Sequence, residues 1–196
     1  MNTNIYIRDD IDRIDLSVAL QQVSPQRADY ALRYRREHDQ RLSLAAWLLL
    51  QEALKAEYGI PVVPDFVYGA HGKPQLKGHP NIHFNISHCT YAALCVLSDK
   101  PVGCDVEAIP EELDREICRY AFNEEEQQAI LHDDNPPLAF AIQWTRKEAF
   151  LKLTGEGLTN DLPHILCSPQ AQQASFQTHI VPEKSYVYSI CSWMFY

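Results

Sequence analysis

Residues Tyr91 to Leu97 read Tyr-Ala-Ala-Leu-Cys-Val-Leu, a nearly unbroken apolar run closed by the turn Asp99-Lys-Pro101. A run this short, between turn signals, reads as a strand buried on both faces. Such a strand needs a packed layer on each side. His83-Phe-Asn-Ile-Ser-His88 before it alternates apolar and polar residues, and Val102-Gly-Cys-Asp-Val-Glu107 follows the turn, so chain order predicts a meander of three strands. Near the far end, Ser185-Tyr-Val-Tyr-Ser-Ile-Cys191 echoes Thr90-Tyr-Ala-Ala-Leu-Cys95 in composition and in its place after a helix. The echo predicts an α+β chain of two similar halves, residues 1–99 and 100–196, with no flexible linker between them.

The helical pattern is strongest between Arg41 and Tyr58, where Leu42, Ala45, Ala46, Leu49, Leu50, Ala53 and Leu54 recur at helical spacing and Gly59 with Pro61 supplies the stop. Trp47 and Leu48 widen the stripe, which makes this helix central. Ile5-Tyr-Ile7 reads as a short strand, and Ser24-Pro25 as an N-cap opening a helix through about Arg36. Gly69-Ala-His-Gly72-Lys73-Pro74 has the chemistry of a loop. In the second half the expected helices run from Leu113 to Tyr120, from Glu124 to His132 with Asn123 as N-cap, and from Leu138 to Thr154 with Gly155 as the stop.

Charge and cysteine usage exclude some classes of function. A formal net charge of −9 argues against nucleic acid as the main partner, because phosphate backbones are bound by clustered Lys and Arg. The distribution is uneven, with five arginines (Arg27, Arg33, Arg35, Arg36, Arg41) from Gln26 to Arg41 and eleven acids from Asp105 to Asp134. Six cysteines show no C-x-x-C spacing and most lie in apolar runs, which reads as reduced core thiols and a cytoplasmic location. No charged segment followed by an apolar one opens the sequence and no apolar run approaches the ~20 residues that span a bilayer, so neither secretion nor membrane insertion is expected.

Two phrases carry chemistry. In Val102-Gly-Cys-Asp105-Val-Glu107 the two carboxylates alternate with apolar residues, so on a strand both point to one face, as a hard cation requires. In Trp144-Thr-Arg-Lys147-Glu148-Ala-Phe-Leu-Lys152, Glu148 and Lys152 stand at i and i+4 and share a helix face, whereas Lys147 points about 100° away. Either phrase alone matches an ordinary solvated surface. Together, three carboxylates and a lysine read as a Mg²⁺ site that handles phosphate, with Mn²⁺ equally suited to oxygen ligands. Trp144 reads as a packing anchor.

In order and spacing, Ser24-Pro-Gln-Arg27, Arg41, Gly72-Lys73-Pro74, Phe84-Asn-Ile-Ser87-His88, Val102 to Glu107, Trp144 to Lys152 and Gly155-Glu-Gly157-Leu158 resemble the 4′-phosphopantetheinyl transferases. The resemblance is to the surfactin-synthetase-activating type, in which two similar α/β subdomains form an intramolecular pseudo-dimer. It implies transfer of the phosphopantetheine arm of coenzyme A to a serine of an apo carrier protein, acyl, polyketide or peptidyl, with release of 3′,5′-ADP. It further implies that Asp105, Glu107 and Glu148 hold the metal, that Glu148 takes the serine proton, and that Lys152 contacts the pyrophosphate, with Lys147 a third catalytic candidate. Arg27, Arg41, Ser87 and His88 would meet the 3′-phosphate, and Lys73 and Pro74 would flank the adenine. Where the family places a second basic contact on the first helix this chain has Tyr30, so that contact is either missing or moved to Arg33 or Arg36. Among Glu124 to Glu126 the best register for a further acidic residue is Glu126, although acids at a helix start also suit the macrodipole. The carrier is expected over the region Ile109 to His132, against Leu113, Ile117 or Phe122, with the chain acting as a monomer. A Mg²⁺-dependent nuclease and a CoA-binding or carrier-binding module without activity are the alternatives.

Overall fold

The computed structural model describes residues 2–69, 71–157 and 161–195. The first half contains β1 (Thr3–Arg8), α1 (Leu16–Gln21), α2 (Pro25–Ala31), α3 (Glu37–Tyr58), a hairpin of β2 (Phe66–Tyr68) and β3 (Pro74–Leu76), and then β4 (His83–His88) and β5 (Ala93–Ser98). The second contains β6 (Val102–Ala108), α4 (Arg115–Ala121), α5 (Glu124–Leu131), α6 (Pro136–Thr154), β7 (Ala174–Val181) and β8 (Tyr186–Trp193). The sheets are ordered β1-β5-β4 and β6-β8-β7, with antiparallel neighbours throughout. In each half a strand, a long helix and a strand pair follow one another, and the last strand takes the centre of its sheet. The two halves are therefore similar α+β units, and the centres, β5 and β8, take up half of the first and most of the second of the two segments that echo each other in sequence.

The meander stops at β5. Its second edge is taken by β1, from Thr3↔Ser98 to Arg8↔Ala93, so no ladder position is left for β6. The chain instead leaves the sheet and β6 pairs with β8, from Val102↔Ser192 to Ala108↔Tyr186. The doubly buried strand is as expected: Ala93, Cys95 and Leu97 of β5 pack toward α3, while Leu94 and Val96 meet Val102, Cys104 and Val106 of β6 and Tyr188 and Ile190 of β8. The sheets thus face each other, with α3 outside one and α6 outside the other.

Each long helix ends where its glycine allows. Gly59 and Gly155 adopt the left-handed conformation at φ 67° and φ 74°, which only glycine takes at little cost. Leu44, Leu50 and Leu54 of α3 are fully buried, each contributing roughly 1.5–3 kcal/mol by leaving water. At Gly103 a side chain is excluded, because a Cβ there would collide with the Ala149 carbonyl oxygen and the Leu153 backbone. The missing side chain lets α6 lie directly on β6. Asn135, accepting from the Leu138 amide at 3.3 Å, and Pro136 open α6.

Local differences from the sequence reading concern chain ends of helices. α2 stops at Ala31 and α3 begins at Glu37, so the stretch to Arg36 is a turn, held where the Gln40 side chain donates to the Tyr34 carbonyl at 2.7 Å. α1, which apolar periodicity does not reveal, is capped by Asp15, whose carboxylate accepts from the Ser17 and Val18 amides. Phe122 is not a surface residue. It is 1% exposed and sits in a core with Cys118, Ile130 and Leu151. All six cysteines are free, and Cys167 alone is exposed. Among the described residues no helix is long and apolar enough to cross a membrane.

Candidate active site

Where β4 of the first half runs beside β6 of the second, side chains replace ladder bonds. Asn85 accepts from the Cys104 amide at 3.0 Å, and Ser87 donates to Asp105 at 2.8 Å. Alternation along β6 puts Gly103, Asp105 and Glu107 on the face covered by α6. There Lys152 of α6 donates to Asp105 Oδ1 at 2.6 Å and to Ser87 Oγ at 2.9 Å. Asp105 is 3% exposed, and its second oxygen, Oδ2, is buried without a hydrogen-bond partner. One strand from each half and the catalytic-candidate helix thus converge on a single carboxylate.

The electrostatics follow from burial and from like charge. Glu107 is pushed up to about 7, first by burial and then by Asp105, while the Trp144 indole, donating at 3.2 Å, opposes the shift. Burial and then Asp105 raise Glu148, with Lys152 working against them. Burial also pushes Asp105 up, against the pull of Lys152. Burial disfavours the Lys152 ammonium, but Asp105, Cys104 and Glu148 together hold it above the ordinary lysine range. Three carboxylates that discourage one another's ionisation, beside one charged lysine, form a place where added positive charge is stabilised. Among the described residues, however, no group of three or more His, Cys, Asp or Glu side chains is arranged to hold a metal ion.

A cavity of about 360 Å³ opens beside this node, lined by Lys73 and Pro74 of the hairpin, Asn85 of β4, Glu148 and Lys152 of α6, and Gly155. Lys73 reaches across the seam and donates to the carbonyls of Val102 at 3.2 Å and Leu153 at 3.0 Å. Leu158, the last residue of the glycine motif, lies outside the described residues. A larger cavity, about 840 Å³, lies in the first half against Arg27, Tyr30, Arg33, Trp47, Phe66 and Tyr68. It contains none of the carboxylates, and its size alone does not make it the reaction site.

On the nucleotide side the expected residues divide. Arg27 donates to the carbonyl and, at 2.9 Å, to the hydroxyl of Ser43, and lies 4.8 Å from the Tyr30 ring centre and 5.2 Å from that of Trp47. Its Nε is buried without a partner. His88, at the end of β4, is held below the ordinary histidine range by burial and then by the charges of Lys152 and Arg27. Arg41 is different. Its Nε donates to the Ile14 carbonyl at 2.9 Å and its Nη2 to Glu37 at 2.7 Å, and it lines neither cavity. Because α3 starts early, Glu37 stands one turn before Arg41 and takes its charge, so the structure does not bring Arg41 to the site.

Lys147 is also drawn elsewhere, which corrects its place among the catalytic candidates. Its side chain is 0% exposed, and its ammonium donates to Glu126 at 2.7 Å and to the carbonyls of Ala121 (2.8 Å), Pro163 (2.9 Å) and Leu162 (3.1 Å). The reason is helical geometry: the 100° step from Glu148 turns Lys147 into the packed side of α6. Glu126 is the acid of a capping box with Asn123 as well as the partner of Lys147. Ser43, Asn85 and the indole of Trp144 escaped the sequence reading. Ser43 and Asn85 carried a signal, each a polar residue on an otherwise apolar inward face; Trp144 carried none that separates a donor from a packing anchor.

Comparison with known proteins matches this architecture. A family model described as 4′-phosphopantetheinyl transferase superfamily matches residues 101–193, and one described as 4′-phosphopantetheinyl transferase, N-terminal, matches residues 12–101. A 4′-phosphopantetheinyl transferase of Bacillus subtilis is 30% identical over 141 residues, 70% of this chain and 62% of that protein. The 4′-phosphopantetheinyl transferase psf-1 of Bacillus pumilus is 32% identical over 143 residues, 71% of this chain and 61% of that protein. The 4′-phosphopantetheinyl transferase gsp of Aneurinibacillus migulanus is 31% identical over 158 residues, 79% of this chain and 65% of that protein. The chain spans less than two thirds of the length of these curated relatives.

Proposed function

Since the chain belongs to the 4′-phosphopantetheinyl transferase family, we propose that it transfers the phosphopantetheine arm of coenzyme A to a serine of an apo carrier protein and releases 3′,5′-ADP. The observation that carries this reading is the Ser87–Asp105–Lys152 node at the seam, flanked by Glu107 and Glu148 and open to a cavity lined by both halves. The nucleotide is assigned to residues 1–99, against Arg27, His88 and Pro74, and the chemistry to residues 100–196. Lys152 is positioned to exchange Asp105 for the pyrophosphate and to stabilise charge on the departing phosphate. Glu148, made more basic by burial and by Asp105, accepts the serine proton. The serine oxygen bonds to the β-phosphorus, the bond to the α-phosphate oxygen breaks, and its electron pair leaves on 3′,5′-ADP.

A divalent cation fits the donor chemistry, because Asp105 keeps a buried oxygen without a partner and the neighbouring carboxylates repel one another. Asp105, Glu107 and Glu148 would hold it, and it would neutralise the pyrophosphate. The carrier is assigned to the face of α4, where Ile117 is 46% and Tyr120 71% exposed. Fatty-acid, polyketide and nonribosomal-peptide carriers all present the serine this chemistry needs. Incubation with CoA, Mg²⁺ and a panel of apo carriers, followed by intact-mass measurement, tests the proposal. A phosphopantetheine mass gain is expected; CoA binding without any gain points instead to a module that only binds.

A further inference from the structure

The β2–β3 hairpin is a slight element. Its two strands pair over Phe66↔Leu76, Val67↔Gln75 and Tyr68↔Pro74 and join neither large sheet. Yet its loop forms one wall of the seam cavity, and the end of α6 forms the facing wall. What connects the walls is Lys73. Its stem packs against Gly155, where a Cβ would stand 3.2 Å from the lysine Cδ, and its Nζ donates to the carbonyls of Leu153 and Val102. Leu153 lies in the last turn of α6, whose carbonyls have no partner within the helix. Lys73 is therefore a cap, supplied by the first half, on the helix that carries Glu148 and Lys152.

The same lysine separates two spaces. A second cavity, about 330 Å³, lies on its other side against His83, Pro101, Thr154 and Trp193, and Lys73, Pro74 and Phe84 line both. Burial lowers the Lys73 amine to about 8, as fits an ammonium turned inward onto carbonyls rather than outward into solvent. Two acceptors suit the two N–H bonds that an amine keeps in either protonation state. By contrast Lys77, on the same hairpin segment, has a side chain 65% exposed and meets Asp65 only at 3.8 Å.

We propose that Lys73 is a positioning residue that clasps the β2–β3 loop to the C-terminal end of α6, fixing the cavity walls and the placement of Lys152 before any ligand binds. Its part in the reaction rests on the transferase reading; the clasp itself does not. The ligand-free wild-type protein is labelled with an amine-acetylating reagent and the rate at each lysine read by peptide mass spectrometry. Lys73 should react at least about tenfold more slowly than Lys77, as a buried, hydrogen-bonded amine does; equal rates overturn the proposal. In Lys73→Met, which keeps the stem but not the donors, amide exchange over residues 149–157 without ligand should rise about tenfold. With an active carrier pair, the turnover of that variant should fall about tenfold while the Michaelis constant for CoA changes less than about threefold. Unchanged exchange together with a tenfold rise in that constant would make Lys73 a CoA contact and refute the clasp. If no carrier is modified, the transferase reading fails while labelling and exchange still decide the clasp; if Lys73→Met does not fold, the labelling arm decides alone.

Discussion

Replacing Lys147 by Met separates a structural from a chemical role for the lysine beside Glu148. The substitution keeps the length of the apolar stem and removes the ammonium, leaving Glu126, 17% exposed at its side chain, without its 2.7 Å partner and taking a donor from three carbonyls, of which that of Pro163 keeps the Asn123 side-chain amide at 3.4 Å. Breaking one side of a buried ion pair costs about 3–5 kcal/mol, because the remaining charge stays desolvated. Each carbonyl adds to this, although not additively. A loss of about 4 kcal/mol is a large part of the 5–15 kcal/mol that holds a domain folded, and at 2–4 °C per kcal/mol it lowers Tm by roughly 8–16 °C. Urea unfolding followed by circular dichroism measures it. Adding Glu126→Gln removes the stranded charge and should recover about 1–2 kcal/mol, a coupling that the double-mutant cycle isolates. A Lys147→Met protein with the wild-type urea midpoint but no transfer would refute the reasoning, because only a chemical role explains that combination.

Gly103→Ala should cost about 3 kcal/mol or more, since its methyl group would meet backbone rather than a movable side chain; a thermal midpoint within about 2 °C of wild type would contradict the packing of α6 on β6. Glu107 binds a proton more readily in the fold, at about 7, than when unfolded, so its contribution to stability is present below the ordinary glutamate range and lost as pH rises through 7. Glu107→Gln should accordingly raise Tm by a few degrees at pH 8 relative to wild type and by less at pH 5, and a pH-independent difference would place the carboxylate in a more open environment. Arg27→Met should raise the Michaelis constant for CoA about tenfold or more with turnover nearly kept, and an unaltered constant would move the nucleotide elsewhere.

How much was legible depends on the range of the interaction involved. Helix α6 could be read from Leu138 to its stop at Gly155, two residues short of its true start at Pro136, because helical periodicity and left-handed glycines act within a turn. Glu148 and Lys152 could be assigned a common face for the same reason. The displacement of Arg41 was not legible, because the residue that takes its charge, Glu37, lies in a stretch whose turn and helix propensities are alike. Nor could Trp144 be given its hydrogen bond to Glu107, since that contact joins α6 to β6 across 37 positions of chain.

The sequence by itself determined the longer helices, the central strands, the duplication of the α+β plan and the carboxylates and lysine of the node, though not α1, β7 or the β2–β3 hairpin; what it determined follows from periodicity, capping and spacing along a few residues. Only the tertiary structure decided which edges pair and which polar groups are satisfied. That β6 abandons β5 for β8 depends on β1 filling an edge some 90 positions away in the chain. That Lys147 is a tie, Lys152 the partner of Asp105 and Ser87 and Lys73 a clasp depends on the acceptors each ammonium meets, and those are brought together by tertiary packing, within the second half for Lys147 and across the seam for the other two, rather than by neighbours in sequence.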